Sequence, residues 1–542
     1  MFIKRNVKKS GSKVYHSTLL VEGYRDENKK VRHHVLSNLS KLPENLVQLI
    51  DDWCKGRPNV GLEDIPPKSS REFGAIAAVV SVIKSLGLDK IIYSRNEPWR
   101  KLVLLMIAAR VIKQGSKLSI IPWLKDTAAE SVLGFDRSKI DADDLYGAMD
   151  RLLERQPAIQ RKLARESLED GCLIFYDVTS TYFEGENCLI ARFGYNRDGK
   201  KGVLQVVIGL MADMEGRPVG VEVFEGNVKD SSTVEGRIKQ LKHDYGFEKL
   251  IFVGDRGMST SGNIERLEKA GFRYISALTH KAILAKIEDL NNPIQIGLFD
   301  EREIVEIMDP EKPHIRYCLC KNPETGRRET ATREALMKKT EQKLEAIEHS
   351  VARGRLKKRD KIFARAVKSV NSFKMSKFYE FEVEAGAFSW RVKQDMLERE
   401  RQLDGCYVIV SDVSSDKLGK EELVQNYKRL RQVESAFRQI KTVQLEIRPV
   451  YHWRPDRVRS HVFLCMLAYL VQFEMLKRLE PLFDKNGKGK HRVWTFDTVL
   501  NRLSSLREEE REINGHLLYT HTIPDVEQSE ILKLLGVDYP NL

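Results

Sequence analysis

Two aspartates follow short apolar runs that are predicted to be buried strands. Asp177 follows Cys172 to Tyr176 (CLIFY), and Asp255 follows Lys249 to Gly254 (KLIFVG). If the two strands are neighbours in an α/β sheet, both carboxylates lie at its carboxyl edge, where such sheets bind ligands and metals. Close carboxylates repel unless a hard cation lies between them, and oxygen ligands suit Mg²⁺ or Mn²⁺. Taken singly, each aspartate is more often a turn residue than a metal ligand.

A third acidic residue lies in a long predicted helix that runs from Glu421 to Thr442. Five polar side chains recur there at i, i+4, i+7, i+11 and i+14, within about 40° of one line on the helix surface. This polar seam consists of Tyr427, Arg431, Glu434, Arg438 and Lys441. An apolar stripe about 100° away is formed by Leu430, Val433, Phe437 and Ile440. The polar seam suits a carboxylate metal ligand flanked by phosphate-binding groups, although a surface series of ion pairs would give the same spacing.

Alternating strands and helices must position these residues. Further strands are predicted at Leu204 to Met211, Val219 to Phe224 and Arg273 to Leu278, with helices starting at Asp230 and Gly262. Three consecutive strands followed by helix-linked strands predict a mixed α/β sheet. Ahead of it we expect a basic strand-rich segment with a turn at Arg25 to Lys30, then helices at 73–86, 101–113 and 144–165.

The charge of the chain favours a polyanionic partner. Its 542 residues include 91 Lys and Arg against 78 Asp and Glu, a net charge of +13. Residues 351–378 carry ten basic residues and one acid. Such a run is usually a solvated helix face, but without a counter-charge it repels itself, so we favour contact with nucleic acid.

Several protein classes lose support. The longest clean apolar run, Val462 to Val471, has half the length of a membrane span. Seven scattered cysteines form neither a disulfide framework nor a zinc site, and no apolar segment follows the basic N-terminus as in a secretory signal. We therefore expect a cytoplasmic protein with reduced thiols and no membrane partner.

Three segments together are specific. The segments YDVTSTYFEG, VGDRGMS and YKRLRQVESAFRQIK, in that order, contain Asp177, Asp255 and Glu434. They resemble the DDE transposases of bacterial insertion sequences, over residues 170–475. Within that family they resemble the class in which an insertion interrupts a ribonuclease H-like catalytic domain before its final helix. The resemblance implies an α/β fold: a ribonuclease H-like mixed sheet with helices, an α+β insertion and an N-terminal mixed or helical DNA-binding region.

The implied domains follow the chain. They are a basic β-rich segment (1–60), a helical region that binds DNA ends (61–165), the first part of the catalytic domain (166–278), the insertion (279–420), the final catalytic helices (421–480) and a C-terminal region (481–542).

The resemblance also implies a mechanism. Asp177, Asp255 and Glu434 would hold two Mg²⁺ or Mn²⁺ ions per active site. The enzyme would bind terminal inverted repeats, hydrolyse the phosphodiester at each end and join the freed 3′-hydroxyls to target DNA. A homodimer is expected to pair the two ends in a synaptic complex.

The family carries a Tyr, an Arg and a Lys on the final helix, which implies DNA binding by Tyr427, Arg431 and Lys441, with Arg438 beside them. The family Arg is expected at Leu430, so this sequence departs from the pattern. Arg429 and Arg431 are the nearest candidates, and Arg431 is favoured because it shares the polar seam.

Some relatives use an aromatic wedge in a hairpin step. Trp390 is a candidate, although a tryptophan in a strand is usually a core residue.

Two alternatives stay open. One is an endonuclease of the same fold that cuts DNA without strand transfer. The other is a DNA-binding protein whose catalytic centre has decayed, against which the three acidic residues argue.

Overall fold

The structure is a computed structural model of the chain. It describes residues 1–542 except 11–12, 28, 57–65, 201, 259, 290–291, 444–446, 448–449, 485–492, 514–515 and 541–542. The chain forms two compact units. The first comprises 1–86, 118–140 and 475–542, and the second comprises 87–117 and 141–474.

Strands open the chain and helices follow up to residue 167. The elements are β1 (Phe2–Ser10), β2 (Lys13–Arg25), β3 (Val31–Asn38), α1 (Glu44–Cys54), β4 (Ser69–Glu72), α2 (Gly74–Ser85), α3 (Leu88–Ile92), α4 (Pro98–Ile112), α5 (Lys117–Trp123), α6 (Ala129–Leu133) and α7 (Ala142–Ser167). The predicted turn between Arg25 and Lys30 separates β2 from β3. Helix α7 begins at a capping box formed by Asp141 and Asp144.

Strands and helices then alternate. The elements are β5 (Leu173–Tyr182), β6 (Gln205–Ala212), β7 (Pro218–Glu225), α8 (Asp230–Lys239), β8 (Ile251–Gly254), α9 (Ser261–Ala270), β9 (Arg273–Ala277), α10 (His280–Glu288), β10 (Val305–Met308), β11 (Arg316–Lys321), α11 (Pro323–Ala352), α12 (Arg359–Ser372), β12 (Tyr379–Glu384), β13 (Ala387–Val392), α13 (Gln394–Gln402) and β14 (Cys406–Ser411).

Helices complete the second unit and a strand pair lies near the C-terminus. The elements are α14 (Lys420–Lys428), α15 (Leu430–Arg438), α16 (Pro455–Arg478), α17 (Glu480–Phe483), α18 (Phe496–Ser504), β15 (Arg507–Ile513), β16 (His516–His521) and α19 (Val526–Leu534).

The first unit contains two antiparallel sheets. Strands β1, β2 and β3 form one in chain order, and β16, β15 and β4 form the other. In the second sheet Arg71 on β4 pairs with Glu510 on β15 at 3.0 Å, and both side chains are largely buried. This pair joins residues from the two ends of the chain within the first unit.

One eight-stranded mixed sheet organises the second unit, in the order β10-β11-β14-β9-β8-β5-β6-β7. Only the β5–β8 and β8–β9 pairs are parallel. Parallel strands need crossover connections, here through α8 and α9, whereas β6 and β7 are joined by a turn with Gly216 at φ +89°. Three antiparallel strands followed by two parallel strands confirm the predicted ribonuclease H-like order.

Residues 279–420 contribute strands to two sheets. Strands β10, β11 and β14 extend the main sheet beyond β9, and β12 and β13 form a two-stranded sheet of their own. The separate part is the β12–β13 hairpin packed with α11 and α12 around Leu344, Ile362 and Phe378. Within the described residues no helix is long and apolar enough to cross a membrane, and all seven cysteines are free thiols.

Candidate active site

Asp177 and Asp255 lie on neighbouring parallel strands. Strands β5 and β8 pair so that Tyr176 is opposite Gly254. The next residue on each strand is the aspartate, and neighbouring strands are about 4.8 Å apart. The two aspartates therefore lie side by side, at the point where these two strands stop pairing.

The prediction that Asp177 ends its strand is wrong. Strand β5 continues to Tyr182 because it pairs with β6 there, with Asp177 opposite Leu210. The segment after Asp177 (VTSTY) is rich in β-branched residues, which favour a pleated strand. Asp255 does follow its strand and opens a turn in which the Met258 N–H donates to the Asp255 carbonyl at 2.9 Å.

The predicted single helix from Glu421 to Thr442 is interrupted at Arg429. Helix α14 ends at Lys428, α15 begins at Leu430, and a π-helical turn follows at Gln439–Val443. At the interruption the Gln432 N–H donates to the Arg429 carbonyl at 2.8 Å, a tighter i to i+3 bond. Neither Pro nor Gly marks this position, so no sequence pattern foretold it.

The final helices pack over the strands that carry the aspartates. The apolar stripe is buried as predicted. Helix α15 contacts β5 and β6, and α14 contacts β8, β9 and β14. Glu434 therefore stands on the helix that packs on the strand of Asp177.

The three acidic residues share one electrostatic environment. The pKa of Asp177 is raised to about 7, mainly by burial and also by the charges of Asp255 and Glu434. A hydrogen bond from the Val178 N–H, 2.7 Å from Oδ1, and the guanidinium of Arg197 act in the opposite direction. The repulsion between like charges shows that the carboxylates influence one another.

Tyr427 belongs to the same group. Burial raises the pKa of its phenol, as do Asp255, Glu434 and a hydrogen bond with Asp255, while Arg256 lowers it. Asp255, Glu434 and Tyr427 also line one cleft of about 360 Å³. Its remaining lining includes Arg256, Arg431 and, from the base of the insertion, Asn322, Thr325, Glu329 and Tyr407. Asp177 lies outside the lining that the structure describes.

The donor set fits a divalent cation in its chemistry. Asp177, Asp255 and Glu434 offer only oxygen ligands, and a bound cation would reverse the repulsion that raises the pKa of Asp177. Across the part of the chain that the structure describes, however, no three Asp, Glu, His or Cys side chains are gathered closely enough to hold one ion. The strands thus bring the residues to one edge, and their carboxylates are not drawn together around a single point.

The basic residues of the polar seam separate into two environments. Arg431 and Arg438 are exposed on α15. Lys441 is buried in the π-helical turn, where its ammonium donates to Thr179 Oγ1 at 2.6 Å and to the Ser180 carbonyl, and lies 3.4 Å from Asp198 Oδ1. Lys441 therefore fixes the turn after α15 to the strand of Asp177.

Two arginines near the acidic residues were not predicted from the sequence. Arg256 directly follows Asp255, and its position inside VGDRGMS could have indicated it. Arg197 comes from the loop between β5 and β6, where its N–H donates to Ser180 Oγ at 2.9 Å and its side chain pairs with Asp230. No local pattern indicated Arg197, because only the path of that loop brings it near Asp177.

Trp390, the candidate wedge, lies on β13 and packs in the insertion. Its ring meets Tyr379 edge-on, with 5.9 Å between the centroids. It is half-buried against the insertion core, which favours the structural explanation.

Comparison with known proteins places the chain in a family. Residues 169–471, more than half of the chain, match the family described as "Transposase DDE domain". The chain belongs to the DDE transposases. Residues 3–60 of this transposase match the "IS1634 family transposase, N-terminal domain", so it is a transposase of the insertion-sequence type. Transposase DDE domains in general depend on divalent metal ions.

No curated protein matches this transposase. Among solved structures it is similar to a piggyBac transposase in a synaptic complex with hairpin DNA. That match has 8% sequence identity and a TM-score of 0.36, and it covers 79% of this chain and 76% of that chain.

Proposed function

We propose that this transposase cleaves DNA at the ends of its own insertion sequence and joins the freed 3′-hydroxyls to target DNA. Asp177, Asp255 and Glu434 are the proposed catalytic residues, binding two Mg²⁺ or Mn²⁺ ions. The observation that carries the proposal is the β5–β8 register, which sets Asp177 beside Asp255 under the helix of Glu434. Divalent ions would supply charge stabilisation at the phosphodiester and activation of the attacking hydroxyl.

The side chains around the cleft suit this reaction. Asp255 and Glu434 present carboxylates to the cleft, while Arg256 and Arg431 offer cationic groups to a phosphate. The raised pKa of Tyr427 favours the protonated phenol, which can donate a hydrogen bond. The proposed hydrolysis and strand transfer use water and a DNA 3′-hydroxyl as nucleophiles, so they need no covalent protein–DNA intermediate.

DNA contacts are proposed for Tyr427, Arg431, Arg438 and Lys441. Arg431 and Arg438 are exposed and can reach a phosphate directly. Lys441 would have to leave Thr179 and Asp198 to do so, and its present bonds support a positioning role.

Terminal inverted repeats and target DNA are the proposed partners. The net charge of +13 and the exposed basic residues in 351–378 support DNA binding. Two ends must be held together for transposition, so we propose a homodimer. We place the reaction in the bacterial cytoplasm, where its DNA substrate lies.

Substituting Asp255→Asn tests the proposal. Cleavage of end DNA in Mg²⁺ should fall at least about a hundredfold because a ligand to the charge-stabilising ions is lost. Binding of end DNA should be preserved, since the substitution removes no phosphate contact. Asp244→Asn, an exposed aspartate after α8, is the matched control and should cleave normally. Unchanged cleavage by Asp255→Asn would refute the site.

Pre-cleaved ends separate the alternatives. The wild-type transposase should join their 3′-hydroxyls to target DNA in Mg²⁺. A protein that cleaves intact ends but does not join pre-cleaved ends would be a pure endonuclease. A protein that binds the ends and does neither would be a decayed enzyme.

A further inference from the structure

The loop between β5 and β6 presents large apolar side chains to solvent. Leu189, Phe193 and Tyr195 are 70%, 67% and 76% exposed. We call residues 188–200 the aromatic loop. Several large apolar side chains that are mostly exposed and close together in the sequence indicate a binding surface for a ligand or a macromolecule.

The backbone of the aromatic loop is held in place. Arg192 and Gln205 exchange two backbone hydrogen bonds of 3.0 Å, and the Gly226 N–H donates to the Ile190 carbonyl at 3.0 Å. Gln205 Nε2 donates to the Tyr195 carbonyl at 3.1 Å. A side chain at Gly194 would lie 2.1 Å from the Gly226 carbonyl oxygen, so the path needs glycine there. The exposed rings therefore project from an ordered loop.

The aromatic loop reaches the strand of Asp177. Its Arg197 N–H donates to Ser180 on β5 at 2.9 Å, and the charge of Arg197 lowers the pKa of Asp177. Asp198 lies 3.4 Å from the Lys441 ammonium. Tyr195 is thus two residues from a group that acts directly on a proposed catalytic residue.

A second exposed aromatic pair lies against the same end of β5. Tyr451 and Trp453 are 64% and 66% exposed. The Tyr451 hydroxyl donates to Glu184 Oε2 at 2.7 Å, and the Glu184 N–H donates to the Val450 carbonyl at 3.3 Å. These contacts hold Tyr451 next to Glu184, two residues after β5 ends at Tyr182.

The chemistry of the aromatic loop fits single-stranded nucleic acid. Three cationic side chains flank the two rings along it, in the order Arg192, Phe193, Tyr195, Arg197, Lys200. Single-strand binding surfaces combine backbone-tracking cations with rings on which bases stack. Aromatic residues and Arg are also enriched at protein–protein interfaces, where Lys is depleted, so the oligomeric state is measured alongside DNA binding. Duplex DNA offers few free base faces, since its bases stack on each other.

We propose that Phe193 and Tyr195 stack on unpaired bases of the DNA strand beside the scissile phosphate. This rests on the proposed function, because it takes the strand near Asp177 to be DNA. The aromatic loop would hold that strand after its bases have separated from their partners.

Binding of a 15-nucleotide oligothymidine, measured by fluorescence anisotropy in EDTA, tests the proposal. The double variant Phe193→Ala, Tyr195→Ala should bind it about tenfold or more weakly, because each stacking contact contributes appreciably. Affinity for a blunt duplex of equal length should stay within about twofold, since phosphate contacts dominate there. The salt dependence should not change, since no charge is removed.

Controls keep the outcome decisive. Tyr519→Ala, an exposed tyrosine on β16, should bind as wild type, and Phe193→Trp with Tyr195→Phe should restore binding. Unchanged oligothymidine affinity in the alanine variant overturns the proposal. A shift in its oligomeric state on sedimentation without that loss would instead mark a protein interface. Failure of the catalytic assignment shows up separately, in the cleavage assay of Asp255→Asn.

Discussion

Asp177 occupies surroundings that disfavour its own charge. Burial also raises the pKa of Asp412, which follows β14 in the same sheet. Asp412 accepts the Tyr274 N–H at 2.7 Å and pairs with Arg273 at 3.2 Å. The pKa of Asp177 is raised in addition by the charges of two carboxylates, Asp255 and Glu434. Residues in such surroundings are candidates for function, because their cost to folding needs another explanation.

Lys117 provides a pH prediction of its own. Its ammonium lies 2.6 Å from His461 Nδ1, and His461 Nε2 lies 3.1 Å from the Ile447 carbonyl. Burial lowers the pKa of Lys117 to about 7, and Arg110 lowers it as well. Between pH 7 and pH 10 the unfolded chain binds a proton on Lys117 that the folded protein has released. The free energy of unfolding should therefore rise with pH in that window.

Replacing this lysine isolates the effect. Lys117→Met should flatten the rise in apparent melting temperature between pH 7 and pH 9, a change on the order of a few kcal/mol in stability. Burial lowers the pKa of His452 and His461, which places their titration below this window. Cys465 raises the pKa of Lys117, against the effects of burial and Arg110. Lys113→Met, an exposed lysine nearby in the chain, should keep the wild-type slope. The same slope in both variants would contradict the interpretation.

Among the elements, strands were predictable from their apolar runs, and their pairing partners were not. The runs before Asp177 and Asp255 indicated buried strands, and the order around β5 followed from the resemblance. Strands β10, β11 and β14 are also short apolar runs, but periodicity carries no information on which sheet edge they join. Their pairing beyond β9 is a long-range choice made by packing.

In the final helix, too, the sequence predicted the element's own pattern but not its contacts with distant residues. The stripe from Leu430 to Ile440 predicted the buried face correctly. The burial of Lys441 depends on its contacts with Thr179 on β5 and with Asp198 in the aromatic loop. The interruption at Arg429 has no signal in the local sequence. A helical wheel placed Lys441 beside Glu434 without showing that its ammonium is bound to β5.

The basic segment before and within α12 makes a prediction at this scale. Its Lys357, Lys358 and Lys361 are exposed. Replacing all three with Gln should weaken binding of end DNA and reduce the slope of log affinity against log salt by up to about 3, about 0.9 for each lost phosphate contact. Lys239→Gln with Lys269→Gln, exposed on α8 and α9, is the matched control. An unchanged slope would show that the segment is only a solvated surface.

At the scale of the whole molecule, two compact units carry different parts of the transposase. The first contains the N-terminal segment that matches IS1634 family transposases, and the second contains the whole segment that matches the DDE domain. The predicted helical region 61–165 is divided between them, so its assignment to DNA-end binding stays a prediction. The net charge of +13 is a property of the entire chain, and it supports binding of the chain to a polyanionic partner such as DNA.

Mn²⁺ binding in the complex with end DNA, followed by electron paramagnetic resonance alongside cleavage, tests the central claim most directly. Asp177→Asn, Asp255→Asn and Glu434→Gln should each lose bound Mn²⁺ and cleavage together, and a double variant should be little worse, because the three act as a unit. Asp244→Asn should retain both. If any of the three variants keeps both bound Mn²⁺ and cleavage, the three carboxylates do not form one metal site.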